Sequence, residues 1–441
     1  MLAIVVSRAD EASEHIGRKL RSLADWTEHE DEHRADGAGG GTYYRTDRAE
    51  LRTFDDLHIH LDGAASAFEE PDLLVFASRH SGDTGPLLTA HATGNFGPAE
   101  YGGGDGSLAR AAPNALSAVR EAFETHAPDD YDVGIECTHH GPSTVGCASL
   151  FVELGSGPDQ WQDAEGAAAV ARSILSLRGV EPHTERTVVG FGGGHYAPRF
   201  DRVLTDTDWG VGHVAADWSL TELGDPRDSR AVIAKAFQAS GTEFALVDGD
   251  RPELEAVIED LGFEVLSETF LQETTGVPLS LVGRLEDDCG PIDDGLRLGE
   301  PATGYDGEFV TEELPDELLD EANGVDRTAV REAVDAVALA YGTADGGSLV
   351  VGPVALAAAD DYRSLVESLA AVLDTKYDSV EIEASTVIAH REAFDPALAR
   401  DAGVDEGPAF GKLSSGVSVD VDGETVTPDD VHRVRERRFE F

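Results

Sequence analysis

Residues 136–144 place a carboxylate, a thiol and two adjacent histidines directly after a predicted buried strand. The segment reads Glu136-Cys137-Thr138-His139-His140-Gly141-Pro142-Ser143-Thr144. Imidazole and carboxylate groups suit zinc, and strand ends are a usual place for binding sites in open α/β sheets. A turn with one exposed and one hydrogen-bonded histidine explains the same residues equally well. Because Cys137 alternates with Glu136 along a strand, we expect its thiol to face the opposite side.

Three other blocks carry histidines at or near the ends of predicted strands. They are residues 78–97 with His80, Thr84, His91 and Asn95, residues 190–199 with His195, Tyr196 and Arg199, and residues 212–214 with His213. With His139 and His140, these blocks hold six of the fifteen histidines. Parallel strands would bring three of the blocks to one edge of a sheet, where binding sites form. Collected there beside Glu136, the histidines favour a metal site.

Each block also has an interpretation without a metal. The glycines at 192–194 lack the spacing and the Lys-Ser/Thr pair of a phosphate-binding loop, which disfavours nucleotide binding. They would instead let the backbone approach a ligand while His195 points into the site. His80 or His213 taken alone is more typical of a hydrogen-bonded structural histidine. His91 and Asn95 are consistent with residues that fix a loop.

Hydrolysis by metal-activated water is the chemistry that these groups indicate. A metal held by imidazoles and a carboxylate, with one open position, lowers the pKa of a bound water to about 7 and stabilises a developing oxyanion. The chain has no Gly-x-Ser-x-Gly segment of the kind that carries a nucleophilic serine.

The composition is that of a globular protein adapted to concentrated salt. The 441 residues carry 86 acidic and 33 basic side chains, a formal net charge of −53, and only four of the basic residues are lysine. In multimolar salt the Debye length falls to about 3 Å or less, so such a charge neither supports nor excludes a nucleic-acid partner.

Three cysteines indicate a reducing compartment. The first residues form a strand rather than a signal peptide, and the apolar stretch 349–359 is broken by Gly352-Pro353.

Alternation of strands and helices predicts a three-layer α/β/α fold with a mixed, mostly parallel sheet. The predicted strands are 2–6, 57–61, 72–77, 132–136, 149–154, 187–191 and 243–247, and the predicted helices are 9–23, 112–126, 161–178, 227–240 and 252–261. Residues 29–42 are expected to form a surface loop. Residues 286–325 are interpreted as a linker or loosely packed insert, before a helical region at 326–373 and strands near 380–388 and 415–427. We therefore expect a catalytic domain at 1–280 and a second α/β region at 281–441.

Six segments together resemble the zinc-dependent D-aminoacyl-tRNA deacylases of archaea and plants. They are Ile59-His60-Leu61-Asp62-Gly63, Ser78-Arg79-His80-Ser81, His91-Ala92-Thr93-Gly94-Asn95-Phe96, Thr138-His139-His140-Gly141-Pro142, Phe151-Val152-Glu153-Leu154-Gly155-Ser156 and Gly193-Gly194-His195-Tyr196-Ala197-Pro198. The resemblance implies hydrolysis of the ester that joins a D-amino acid to the 3′ end of tRNA. It also implies a fold similar to phosphorylases and peptidyl-tRNA hydrolases, and one or two zinc ions. Because typical members are shorter, residues after about 280 are interpreted as an extension of a haloarchaeal form.

The resemblance assigns roles to the clustered side chains by position. We expect catalysis from Glu136, His140 and Thr84, zinc binding from His80, His139 and His195, and substrate binding from His91, Asn95, Tyr196 and Arg199. Glu136 and His140 are also candidates for the immediate shell of the zinc, and Thr84 for holding the aminoacyl end or the terminal adenosine.

The C-terminal region contains a cluster of arginines that is rare in this chain, namely Arg433, Arg435, Arg437 and Arg438. It makes the extension a candidate for tRNA contact, although a surface hairpin followed by a capped C-terminal helix explains it slightly better.

We expect a cytoplasmic monomer that binds D-aminoacyl-tRNA and has no membrane segment and no protein partner. Two alternatives stay open, a zinc-dependent peptidase or amidase and a non-catalytic tRNA-binding protein.

Overall fold

The chain folds into two compact units, Met1–Gln272 and Glu273–Phe441. They are described from a computed structural model, which covers residues 1–421 and 423–441. None of the helices in these ranges is both long and apolar enough to cross a lipid bilayer. Each unit contains its own sheets and its own buried apolar cluster.

A mixed eight-stranded sheet forms the centre of the first unit, in the order β2-β3-β4-β1-β5-β8-β6-β7. Its strands are β1 (Leu2–Ser7), β2 (Thr27–Asp31), β3 (Gly41–Thr46), β4 (Ala49–Phe54), β5 (Leu73–Arg79), β6 (Leu87–Ala92), β7 (Asp132–Ile135) and β8 (Ala148–Gly155). The β4-β1-β5-β8 core is parallel, because β1 pairs in parallel with β4 and β5, and β5 with β8. β8 and β6 are antiparallel, and β6 and β7 are parallel again.

A second, fully parallel sheet completes the first unit, in the order β10-β9-β11-β12. Its strands are β9 (Thr187–Phe191), β10 (Gly210–Ala215), β11 (Phe244–Val247) and β12 (Glu264–Val265). The helices of this unit are α1 (Glu11–Leu23), α2 (Pro113–His126), α3 (Pro158–Trp161), α4 (Ala164–Ser176), α5 (Pro198–Asp206), α6 (Asp217–Leu223), α7 (Arg230–Ser240), α8 (Pro252–Asp260) and α9 (Glu268–Glu273).

The two faces of the eight-stranded sheet have different coverings. Helices α1 and α4 pack on the face that carries Val6 and Leu154, where Gly17 and Gly166 bring the helix backbones close to these side chains. The opposite face carries Phe76 and Phe151, whose rings stack with centroids 4.7 Å apart. Because side chains alternate along a strand, polar groups on this second face lie away from the helices.

The second unit combines three small sheets with seven helices in its described residues. The helices are α10 (Leu279–Cys289), α11 (Asp316–Val325), α12 (Arg327–Asp335), α13 (Asp361–Val372), α14 (Pro396–Asp401), α15 (Pro408–Ser414) and α16 (Pro428–Val431). The strands are β13 (Leu296–Leu298), β14 (Val310–Glu312), β15 (Ala340–Ala344), β16 (Leu349–Leu356), β17 (Ser379–Ile382), β18 (Thr386–Phe394), β19 (Val419–Val421), β20 (Glu424–Val426) and β21 (His432–Glu440). The sheets are ordered β13-β15-β16-β14, β17-β18-β21 and β19-β20.

The predicted fold class is confirmed, a mixed and mostly parallel α/β protein with a second α/β region. Several local predictions were wrong. Residues 58–60 form a 3-10 helix in which His58 is buried, although the segment 57–61 reads as an alternating strand. The expected C-terminal helix is strand β21, which pairs with β18 along its whole length. Residues 326–373 contain β15 and β16 between helices, and both ends of the supposed surface loop 29–42 belong to strands.

Candidate metal and active site

The candidate residues meet on the face of the large sheet that carries Phe76 and Phe151, not at one edge of parallel strands as predicted. The reason is the antiparallel pairing of β6 with β8, which sets Thr89 opposite Glu153 and His91 opposite Phe151. Directly opposed residues point to the same face of a sheet. This face therefore carries a buried carboxylate and a buried imidazole beside an aromatic ring.

The segment after β7 joins the two sheets of the first unit and so brings His195 to the cluster. Glu136 continues the ladder by donating its N–H to the Ala90 carbonyl at 3.1 Å. The Cys137 N–H then donates to the His195 carbonyl at 2.8 Å, and the Thr138 N–H donates to the Val214 carbonyl at 2.9 Å. These bonds hold the loop that follows β9 against the double histidine.

Glu136 is the centre of a buried hydrogen-bond network. It is 2% exposed, it accepts a hydrogen bond from the Thr89 hydroxyl, and its Oε2 lies 2.8 Å from Nε2 of His195. Its Oε1 lies 3.0 Å from Nδ1 of His80. Burial by itself would raise the pKa of Glu136, but the hydrogen bonds from His195 and His80 outweigh it and hold the pKa well below its usual value.

His80 lies between two buried carboxylates, which favour its charged imidazolium form. Its Nδ1 is 3.7 Å from Oε2 of Glu153, and its Nε2 is 3.2 Å from the Tyr196 hydroxyl. Burial would lower the pKa of His80, but the hydrogen bonds to Glu136 and Glu153 outweigh it and raise the pKa to about 11. Burial would also raise the pKa of Glu153, and the nearby imidazoles of His80 and His91 bring it down to about 2.

Three imidazoles share one hydrogen-bonding pattern. Nδ1 of His91 lies 3.0 Å from the carbonyl of Ala92, Nδ1 of His139 lies 2.8 Å from that of Cys137, and Nδ1 of His140 lies 2.9 Å from that of Gly141. A carbonyl only accepts, so each Nδ1 carries a hydrogen, and in the neutral form of each ring Nε2 keeps a lone pair. The three ligand atoms lie within 4.8 Å of one another.

The surroundings keep two of these imidazoles neutral and leave the third without a partner. Burial lowers the pKa of His139 well below its usual value and that of His140 to about 4. Nε2 of His91 is buried and has no hydrogen-bond partner among the described residues, since Oε1 of Glu153 is 3.6 Å away. Burial would lower the pKa of His91, but the negative charge of Glu153 outweighs it and raises the pKa. An unpartnered buried nitrogen requires an explanation, and a bound cation supplies one.

Gly141 allows the close packing that fixes the double histidine. A Cβ at this position would lie 2.5 Å from the carbonyl carbon of Gly102, a separation that van der Waals contact does not permit. The Gly141 N–H donates to the Tyr101 carbonyl at 3.1 Å, and the Gly94 N–H donates to the His140 carbonyl at 2.7 Å. The loop at 97–106 is thereby attached to the metal-ligand candidates.

The structure corrects the prediction for Cys137 and agrees with the structural interpretation of His213. Strand β7 ends at Ile135, so strict alternation does not extend to Cys137, whose Sγ lies 3.6 Å from Nδ1 of His195. Burial raises the pKa of the Cys137 thiol to about 12. His213 is fully buried and bonds the Thr138 hydroxyl at 3.1 Å and the Ala109 carbonyl at 2.7 Å.

Three further predicted residues, Thr84, Asn95 and Arg199, lie outside this hydrogen-bond network. Thr84 is in the exposed loop between β5 and β6, where its hydroxyl bonds that of Ser156. Asn95 donates to the Gly102 carbonyl at 2.9 Å and so holds the loop at 97–106. Arg199 at the start of α5 is paired with Asp248 at 3.2 Å and with Glu268 at 3.0 Å.

The described residues contain three groups that could hold a metal ion, and they interlock. The groups are His91/His139/His140, Cys137/His139/His195 and His80/Glu136/Glu153. The predicted zinc ligands His80, His139 and His195 do not fall in one such set, because His80 belongs to the set with the two carboxylates.

Glu153 and Thr89 received no role in the sequence analysis. The detectable signal for Glu153 was a single acid within the apolar strand β8.

A cavity of about 210 Å³ opens beside His139 and His195. Asn95, Phe96, Tyr101 and Trp218 also contribute to its wall. Four larger grooves, of about 320, 420, 520 and 650 Å³, contain none of the predicted site residues.

Comparison with known proteins identifies the family. The D-aminoacyl-tRNA deacylase profile matches residues 67–266. A D-aminoacyl-tRNA deacylase from Natronomonas pharaonis is 98% identical over 441 residues, with 100% of both chains covered. The chain belongs to the D-aminoacyl-tRNA deacylase family. A member from Haloarcula marismortui is 52% identical, again over 100% of both chains.

Family membership confirms the resemblance read from the motifs and the assignment as a hydrolase of ester bonds in D-aminoacyl-tRNA. The crystal structure of a conserved protein of unknown function, AF0625, shares 27% identity with a TM-score of 0.56, and covers 62% of this chain and 98% of that chain.

Proposed function

We propose that the chain hydrolyses the ester of D-aminoacyl-tRNA with a zinc ion held by His91, His139 and His140. The observation that carries this proposal is the shared pattern of the three rings, each fixed through Nδ1 by a backbone carbonyl and each presenting a free Nε2. Zinc-binding histidines usually donate their second ring N–H to a carbonyl or carboxylate. The unpartnered Nε2 of His91 fits the same ligand set.

A zinc ion at this position would polarise the ester carbonyl and lower the pKa of the attacking water. The protein itself would orient the reacting groups and move the proton. His195 borders the cavity with 35% of its side chain exposed, and Glu136 fixes its ring through Nε2. We assign proton transfer to His195 and the positioning of His195 to Glu136, in the manner of other carboxylate–histidine pairs.

His80 and Glu153 would maintain the charge balance around Glu136. Two carboxylates so close together would raise each other's pKa, and the imidazolium of His80 between them offsets this repulsion.

Because aminoacyl-tRNA is used in translation, we place the protein in the cytoplasm. The C-terminal unit is proposed as a second contact for the tRNA through Arg433 and Arg435, which lie on strand β21.

The test compares hydrolysis of D-Tyr-tRNA and L-Tyr-tRNA by protein purified in high salt, with the metal content measured in parallel. We expect bound zinc, preference for the D-ester, and loss of both zinc and turnover in His140→Ala. His126→Ala, at the end of α2, is the matched control. Equal hydrolysis of both esters would contradict the substrate assignment. Full activity in metal-free protein would contradict the metal site, and cleavage of small peptides without RNA would favour an amidase.

A further inference from the structure

Exposed aromatic rings gather at the mouth of the cavity beside His139. Tyr101 is 63% exposed and Trp218 is 42% exposed, and both line the cavity. A third exposed ring, Tyr196, packs edge-on against His195 at 5.0 Å. Single exposed apolar residues are ordinary, but a group of them around a concave site marks a binding surface.

The backbones that carry these rings are fixed to the metal-ligand candidates. The Tyr101 carbonyl accepts from the N–H of Gly141, which follows His140, and Asn95 holds the next residue, Gly102. Trp218 lies in the first turn of α6, which is anchored where the Asp217 N–H donates to the Gly193 carbonyl at 2.9 Å. The backbone at both residues is thus held at a set position relative to the three imidazoles, and both side chains are exposed to solvent.

The charges of the cavity exclude a phosphate and permit a base. Its wall contains the carboxylates of Glu100 and Glu222 and no lysine or arginine. Neither carboxylate forms an ion pair with a described residue. Aromatic rings bind nucleobases by stacking, and carboxylates accept hydrogen bonds from exocyclic amino groups and ribose hydroxyls. Stacking is also insensitive to the screening that weakens phosphate contacts in concentrated salt.

We propose that Tyr101 and Trp218 form a stacking subsite for the adenine of the 3′-terminal nucleotide of tRNA. This inference rests on the proposed function, since the ester to be cleaved is attached to the ribose of that nucleotide. With the ester carbonyl at His91, His139 and His140, the base lies one ribose away, and the cavity beside His139 is the adjacent space. The subsite recognises an element common to all tRNAs, so it would serve D-aminoacyl esters of different side chains.

Two small ester substrates distinguish recognition of the base from recognition of the amino acid. One is the 3′ ester of D-tyrosine with adenosine, and the other is the corresponding D-tyrosyl ester of 1-O-methylribose, which lacks the base. We expect Trp218→Ala and Tyr101→Ala to lower kcat/KM for the adenosine ester by about 10- to 100-fold, mainly through KM, which is the range that stacking on an aromatic ring supplies. Hydrolysis of the ribose ester should not change.

Conservative and distant variants complete the test. Trp218→Phe keeps a stacking face and should restore most of the activity on the adenosine ester, whereas Trp26→Ala, near the end of α1, should affect neither ester. An equal loss on both esters would overturn the proposal and assign the rings to the aminoacyl group or to structural support. No loss on either ester would also overturn it.

A binding measurement keeps the subsite testable even if neither ester is hydrolysed. Saturation-transfer NMR should detect adenosine on the full-length wild-type protein and show a weaker signal with Trp218→Ala. Absence of adenosine binding to the wild type would contradict the subsite without bearing on the metal, while binding without hydrolysis would contradict the proposed reaction only.

Discussion

Replacing Glu136 tests whether the buried carboxylate–imidazolium pair stabilises the fold. Glu136 is 2% and His80 is 5% exposed, and their charged atoms are 3.0 Å apart. Removing one partner of a buried pair typically costs about 3–5 kcal/mol, because the remaining charge stays buried without its partner. Glu153 remains 3.7 Å from His80 and offsets part of this loss. We therefore expect Glu136→Gln and His80→Gln each to reduce the free energy of unfolding by about 3 kcal/mol.

The double variant measures the interaction itself. It should lose about 2 kcal/mol less than the sum of the single variants, since removing both charges leaves neither one unpaired. The assay is urea unfolding followed by circular dichroism at two concentrations of KCl, with chelator present so that metal binding does not contribute. Because the pair is buried, its coupling energy should be nearly independent of salt.

An exposed ion pair provides the matched control. Arg230 and Asp260 are 2.7 Å apart with side chains 39% and 72% exposed. Exposed pairs contribute about 0–1 kcal/mol and are screened by salt. If the Glu136–His80 coupling is as small as that of the control pair, or decreases with KCl in the same way, the assignment of His80 as a buried imidazolium is refuted.

Three further predictions follow from individual contacts. The pKa of His213 is lowered to about 4 by burial, so protonation of the unfolded chain should remove about 3 kcal/mol of stability as the pH falls from about 6.5 to about 4. His213→Phe should make the free energy of unfolding less dependent on pH in this window. An unchanged pH profile would contradict the lowered pKa of His213. Gly141→Ala should displace the loop at Gly102 and lower turnover at least about tenfold while zinc stays bound, as metal analysis and kinetics would show together. His91→Ala should lower the zinc content to about the level of chelator-treated protein, and retention of the metal would remove His91 from the ligand set.

The sequence predicted the first unit better where strands are apolar than where they are polar. β1, β5, β8 and β9 are nearly continuous apolar runs, as strands buried on both faces must be. β2 reads Thr-Glu-His-Glu-Asp and lies at the edge of the sheet, so no apolar pattern marks it.

Tertiary contacts determine the secondary structure of segments for which the local sequence pattern gives a wrong prediction. The alternation of Leu57, His58, Ile59, His60 and Leu61 indicates a strand. The observed turn instead buries His58, whose ring lies 5.8 Å from Phe76 and whose Nε2 bonds the Ser13 hydroxyl at 3.2 Å. These partners are 18 and 45 residues away in the chain. Propensity within a short window contains no information about such contacts.

The histidines of the site were found from sequence, but their roles depend on which atom each ring nitrogen meets. His80 and His140 look equivalent in the sequence, since each follows a strand and lies next to a glycine-containing turn. In the folded protein Nδ1 of His80 meets a carboxylate, which makes the ring a cation, whereas Nδ1 of His140 meets a backbone carbonyl, which leaves Nε2 with a lone pair. Only a neutral imidazole can bind a metal. The proposed division of this cluster into charge-balancing and metal-binding rings therefore rests on the antiparallel β6–β8 pairing, because that register places Glu153 beside His80 and His91 beside the double histidine.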